Sequence, residues 1–375
     1  MNAPTPSDPA VASPTGSKGR AGPASDPVAT SEGPRRWRIQ RASSGSAVGV
    51  GGWLVALAVL LTLPEWGTSS QMRTVVEVLS LLALAQMWNL LAGYAGMVSI
   101  GQQAFVGIGA YSVLVLADDQ GLDPFVAVPF AGLAAAAISL PLALVAFRLR
   151  GGYFAIGTWV LAEVVYLLVL NNTALGGGDG RTIRSLNTYD RFAREDYVFY
   201  LALVAGLGAV AMVVLVLRSR LGLALRSIRD EEAGARGAGV DVYRTRLAVW
   251  VLAGGWTGLT GAIVYLNRLN VQPDAAFSVQ WTAYMIFIVV IGGVGSTTGP
   301  IIGTLVFWVL RDQIADQGVW YLIVLGTVAV MMAILAPKGI YGLLQRIRPM
   351  PFFPVRRRLR STGGSSTTPA PRTAP

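Results

Sequence analysis

Gln102, Gln103 and Asn89 are amide side chains set inside long apolar stretches, and Glu163 is a carboxylate in a similar setting. An amide offers a donor and an acceptor without a fixed charge, so these three can line a route for a polar or zwitterionic solute without trapping it. Interhelical hydrogen bonding is the competing use of such side chains in lipid, and the sequence leaves both open. Tyr94 and Ser99, between Asn89 and Gln102, belong to the same candidate route. A carboxylate inside a bilayer is costly and marks a function by default, although a hydrogen bond from a facing helix would also hold Glu163. One acid without a His or Lys relay makes a poor proton path.

The missing residue types exclude a good deal of chemistry. Cys and His do not occur, which removes disulfides, thiolate nucleophiles, Cys/His zinc sites and any Ser-His-Asp arrangement. Lys occurs only at Lys18 and Lys338, so there is no GxxxxGK[ST] phosphate loop. No metal, cofactor or enzyme activity is expected, and work must be fuelled by a partner or an ion gradient. A stand-alone secondary transporter or channel is one rival reading, and an acid-only intramembrane enzyme at Glu163 is another.

The elements that position these residues are membrane spans. The 375 residues are 53% hydrophobic and 13% charged, against roughly a quarter charged in soluble proteins. About ten stretches approach the ~20 residues needed to cross a bilayer. They are 47–63, 75–91, 98–116, 125–147, 152–170, 198–217, 247–266, 280–297, 301–313 and 320–336, the ninth being short enough for a half-helix. Residues 1–46 and 345–375 have the composition of disordered tails around a permease-like body at 47–344. Arg148, Arg150, the seven Arg of the 218–246 loop and Arg356–Arg358 of the C-terminal tail fall on one side of a ten-crossing topology. Basic residues mark the cytoplasmic side, so both termini are predicted there, in the plasma (inner) membrane, with the 171–197 loop outside.

Glycines interrupt two of these stretches: Gly93, Gly96 and Gly101 in one, and Gly292, Gly293, Gly295, Gly299 and Pro300 in the other. Broken helices survive in a membrane only where protein or a wet cavity satisfies the freed backbone, and they are typical of transport pathways. Close helix packing is the alternative reason for small residues there.

The 218–246 loop is longer and more helix-prone than a connector requires. Asp230, Glu231 and Glu232 suit a helix start, and Arg236 lies one turn after Glu232. With Arg226, Arg229 and Gly239 they form a candidate docking surface for a protein that moves the spans.

Six ordered segments resemble the M-type (LivM-like) permease subunit of branched-chain amino acid ABC importers. They are Asn89–Gln102 with Ala104–Tyr111, Gly152–Thr158 with Glu163, Gly176–Gly180, Leu225–Glu232 through Gly239, Pro273–Asp274 with Phe277–Ser278 and Gly292–Pro300, and Ala336–Gly339. Glu232-Ala233-Gly234 with Gly239 stands where importers carry a Glu-Ala-Ala…Gly coupling pattern. The resemblance implies an all-α polytopic fold of the ten-helix type II importer kind, with broken and half helices. It also implies a heterodimer with a second homologous permease, two cytoplasmic ATPase subunits that bind the ATP, and an extracytoplasmic solute-binding protein. The solute it implies is leucine, isoleucine, valine or a similar small amino acid, while relatives handle urea or short amides. Nucleic acid is not an expected partner.

Overall fold

The computed structural model describes residues 37–40, 57–314, 319–336, 338–347 and 358–361. They divide into two units. The smaller contains an antiparallel pair of strands, Trp37–Gln40 and Arg358–Ser361, with Trp37 opposite Ser361. The remainder of the predicted tails lies largely outside the described residues.

The larger unit is helical. A short apolar helix, α1 (Leu57–Trp66), precedes α2 (Ser69–Asn89). Thr68 and Gln71 cap α2 reciprocally, each side chain accepting from the other's backbone amide at 3.4 and 2.9 Å. α2 ends in a π turn, Leu90–Tyr94, and α3 (Gln103–Leu114) ends in another, Val115–Asp119. Asp123 accepts from Phe125 and Val126 N–H to start α4 (Pro124–Ala146), whose proline at the first position has no amide to satisfy. α5 (Gly152–Leu170) and α6 (Arg191–Arg218) follow, then α7 (Arg220–Asp230), α8 (Glu232–Gly237) and α9 (Val242–Arg268). The one-turn α10 (Pro273–Ala276) leads into α11 (Gln280–Gly292), α12 (Gly299–Ile314), α13 (Val319–Leu335) and α14 (Gly339–Ile347).

Among the described residues six helices are long and apolar enough to cross a membrane, counting α10 and α11 together, and up to seven if the bent pair α13 and α14 is one span. All ten predicted stretches fall at least partly on helices, but length and composition do not reach the count of ten. Three described helices fall short, α1 with 10 residues, α3 with 12 and α12 with 16, the last two beside glycine breaks.

α9 is the hub because its glycines admit neighbours at backbone distance. A Cβ at Gly261 would lie 2.4 Å from Val106 O of α3, and one at Gly258 would lie 2.2 Å from Ala135 Cβ of α4. Lipid tails give no hydrophobic push, so this close approach supplies the dispersion contact that holds helices together. The outer faces stay apolar: Leu133 and Leu144 of α4 and Ile156 and Leu168 of α5 are exposed. Such patches fit a bilayer and not water, and the protein is a multi-pass membrane protein.

The loop between α5 and α6 is stitched over one end of the bundle. Arg181–Thr182 pairs antiparallel with Asn270–Val271, and Arg181 forms a 2.7 Å ion pair with Asp119 at the end of α3. Hydrogen bonding from Arg181 holds the Asp119 carboxyl below the usual range.

Candidate functional site

Two buried polar regions lie where the glycine breaks occur. The first gathers at the end of α2. Asn89 Oδ1 accepts from Gly295 N at 2.8 Å, and its Nδ2 donates to Ser296 O at 2.9 Å. One turn earlier, Gln86 Nε2 donates to Thr297 O at 2.9 Å. These fully buried amides replace the helical partners that the loop between α11 and α12 gives up. Gly93 must be glycine here, since a Cβ would lie 2.6 Å from Gly295 N and 2.4 Å from Asn89 Oδ1. Gly295 itself has φ +73°, and Gly293, with φ +125°, lies against Lys338 O at the start of α14.

Arg229 of α7 closes this knot. Its Nη1 donates to Gly93 O at 2.7 Å, so the charged segment is bonded directly to the broken end of α2. Gly222, Leu225 and Ile228 of α7 are buried on one face, while Leu223, Asp230 and Glu231 are exposed. Ile228, Ala235 and Val242 pack together as a separate apolar cluster under α8. Glu232 binds Arg236 at 2.6 Å and Arg246 of α9 at 2.9 Å. Arg236 and Gly239 are exposed, and Arg226 is half-buried.

Arg236 beside Glu232, with Arg246 adding to it, holds the Glu232 carboxyl below the usual carboxylate range. A lowered pKa stabilises the folded segment above the unfolded value of about 4.3, and that contribution is lost as pH falls through the folded value. The protection of α8 amides, measured relative to the intrinsic exchange rate at each pH, is therefore expected to be constant from neutral pH to about pH 5 and to fall below it. Glu232→Gln should show faster exchange at neutral pH and a flatter acid response.

The second region is the non-helical stretch from Ala95 to Gln102. Trp88 Nε1 donates to Ser99 O at 2.8 Å, and Ile100 N donates to Thr158 Oγ1 of α5 at 3.1 Å. Gly101 permits this contact, because a Cβ would lie 2.0 Å from Thr158 O. Thr282 of α11 receives Gln103 N–H at 3.1 Å and donates to Gln103 Oε1 at 2.5 Å. Gln103 is thus an interhelical bond. Gln102 differs: it is fully buried, and neither amide atom has a hydrogen-bond partner among the described residues. An unpaired buried amide costs about 1–3 kcal/mol, and Gln102 keeps both a donor and an acceptor unengaged by the described residues.

The structure brings Asn89, Gly93, Tyr94, Gly292, Gly293, Gly295 and Arg229 into one cluster, and Ser99, Gly101, Gln102 and Gln103 into its neighbour. Gly96 has φ +69° at the bend, and Gly299 and Pro300 open α12. Glu163 lies apart, exposed on α5 and without an ion pair among the described residues. Sequence reasoning missed Gln86 and Thr282. Gln86 precedes Asn89 by one helical turn, a spacing that could have exposed it; nothing in the sequence pairs Thr282 with Gln103.

The family described as branched-chain amino acid transport system / permease component matches residues 70–335. The high-affinity branched-chain amino acid transport system permease protein LivM of Escherichia coli is 31% identical over 342 residues, 83% of this chain and 79% of the relative. Its Salmonella typhimurium counterpart is 31% identical over 288 residues, 70% of this chain and 67% of the relative. The ribose import permease protein RbsC of Bacillus subtilis is 27% identical over 191 residues, 48% of this chain and 59% of the relative. No solved structure matches the chain.

Proposed function

Because the chain belongs to the branched-chain amino acid transport system permease component family, we propose that it is the membrane-spanning permease subunit of an ATP-driven importer for leucine, isoleucine and valine. It works as a heterodimer with a second permease of the same family. Two cytoplasmic ATPases supply the energy, and an extracytoplasmic protein delivers the solute. Both termini and the α7–α8 segment face the cytosol, and the 171–197 loop faces out. The coupling surface is the exposed edge of α7 and α8, with Asp230, Glu231, Arg236 and Gly239 toward the ATPase and Arg226 beside them. Asn89, Tyr94, Ser99, Gln102, Gln103 and Glu163 are the candidate route residues, with Gln102 foremost. Glu163 belongs to that set only if a partner subunit covers α5.

The observation that carries this reading is the link from α7 to Gly93. A segment with one face buried, one charged face exposed and a direct bond to a broken span is built to transmit a push. Two states of the spans, each favoured by a different state of the ATPases, would then alternate access.

Leucine uptake into proteoliposomes holding both permeases and both ATPases, with binding protein and ATP, tests the proposal. ATP-independent leucine flux by this chain alone would instead favour a stand-alone transporter. Glu231→Arg places a like charge where the ATPase docks, which costs several kcal/mol at an interface and is at least about tenfold in affinity. Uptake should fall at least about tenfold, with solute affinity of the binding protein unchanged.

A further inference from the structure

At the end of the bundle away from α7 and α8, four helices leave an open cavity of about 490 Å³. Arg73 and Glu77 reach it from the first turns of α2, Arg191 from the start of α6, Arg268 from the end of α9 and Trp281 from the start of α11. The volume suits a small solute rather than a peptide. None of these residues belongs to the glycine knot or the Gln102 stretch.

The charges on the wall are unequally engaged. Arg73 and Arg191 both bind Glu195, each at 3.1 Å, and so are largely spent on one carboxylate. Glu77 is bonded to Arg311 of α12. Arg268 makes no ion pair among the described residues. Its guanidinium instead sits 5.0 Å from the Trp281 ring centre and 5.7 Å from that of Tyr265. An aromatic bed fixes a guanidinium in place while leaving its N–H edge for a carboxylate. The same wall offers Leu81 and Val264, so anionic, cationic and apolar partners meet within one amino-acid-sized space.

We propose that this cavity is a loading site for a zwitterionic amino acid with an apolar side chain. Arg268 takes the carboxylate, Glu77 accepts from the ammonium while keeping its bond to Arg311, since a carboxylate has acceptor sites for both, and the side chain lies against Leu81 and Trp281. The proposal rests on the importer reading and adds to it a recognition step within the permease, ahead of the buried Gln102 stretch. The open geometry makes binding weak, which suits a site that must pass its solute on.

The chain has no Cys, so Thr74→Cys puts a single thiol of this subunit on the cavity wall. In the assembled importer, reconstituted without binding protein, labelling of this subunit by a membrane-impermeant thiol reagent is followed with and without millimolar leucine. Leucine is expected to slow labelling severalfold. Leucine amide, which lacks the carboxylate, and 4-methylpentanoate, which lacks the ammonium, should not. Arg268→Gln in the same background should remove the protection. Asn267→Cys, on the same wall, serves if Thr74→Cys fails to assemble. Equal labelling with and without leucine, equal protection by the amide, or protection that survives Arg268→Gln would each overturn the site. ATP-driven leucine uptake by the same proteoliposomes, measured after the binding protein is added, separates the two levels: uptake without protection removes the cavity site alone, and absence of uptake removes the importer reading beneath it.

Discussion

Gly109→Val is expected to abolish recovery of folded protein from detergent, whereas Gly326→Ala leaves it unchanged. A Cβ at Gly109 would lie 1.8 Å from Gly258 O, inside the contact where α3 crosses α9. The obstacle is backbone on a central helix and cannot rotate away. α3 and α9 must separate, and α9 is also held by α4 through Gly258 against Ala135, so relief at one contact opens another. Even Gly109→Ala should cost on the order of 3 kcal/mol, the upper part of the usual overpacking range. At roughly 2–4 °C per kcal/mol, the thermal midpoint of the purified protein should fall by several degrees or more. A Cβ at Gly326 would have no neighbour within 4 Å, so alanine there meets open space. Fluorescence-detected gel filtration across a temperature series checks both, and an unshifted midpoint for Gly109→Ala would refute the packing argument.

That contrast shows which parts of this molecule its sequence discloses. Both glycines sit in apolar stretches and look alike on paper; only the neighbouring helix tells them apart. The interrupted stretch at Gly93–Gly101 and the charged segment at Arg226–Gly239 were legible, because a loss of apolar continuity and a run of charge are local signals. Glu163 was less so. α5 buries Phe154, Thr158 and Ala162, one stripe at helical spacing, and the rest of the helix is apolar as well. In lipid both faces of a helix carry similar residues, so the periodicity that orients a helix in water is erased. Asn89 and Gln103 were legible as buried polar groups, but their partners at Ser296 and Thr282 lie about two hundred residues away. The cavity around Arg268 was invisible for the same reason. Its wall comes from the ends of four helices, and helix ends are where arginine is unremarkable in a membrane protein.

Arg229→Gln is expected to separate ATP hydrolysis from solute movement. By sequence, Arg229 falls in the charged segment proposed above as the docking surface for an ATPase. The geometry gives it a further task, since Arg229 is exposed overall and yet its guanidinium donates to Gly93 O of the spans at 2.7 Å. A charge-assisted hydrogen bond of this kind contributes about 1.5–3 kcal/mol. If α7 moves the end of α2 through this bond, its loss lowers the coupling between the two by up to that amount, roughly tenfold or more. Glutamine is too short and uncharged to restore it. Solute carried per ATP consumed should therefore drop about tenfold while basal ATPase activity of the assembled importer persists. Gly93→Ala reaches the same joint from the other side, because its Cβ would crowd Gly295 N and Asn89 Oδ1 and push the loop off α2. The two variants should share the uncoupled phenotype, and the double variant should be little worse than either, as expected for residues acting through one contact. A parallel fall of ATPase activity and uptake in Arg229→Gln, with loss of the ATPase subunits on purification, would instead put Arg229 in the docking surface and leave the tie to Gly93 without a mechanical role.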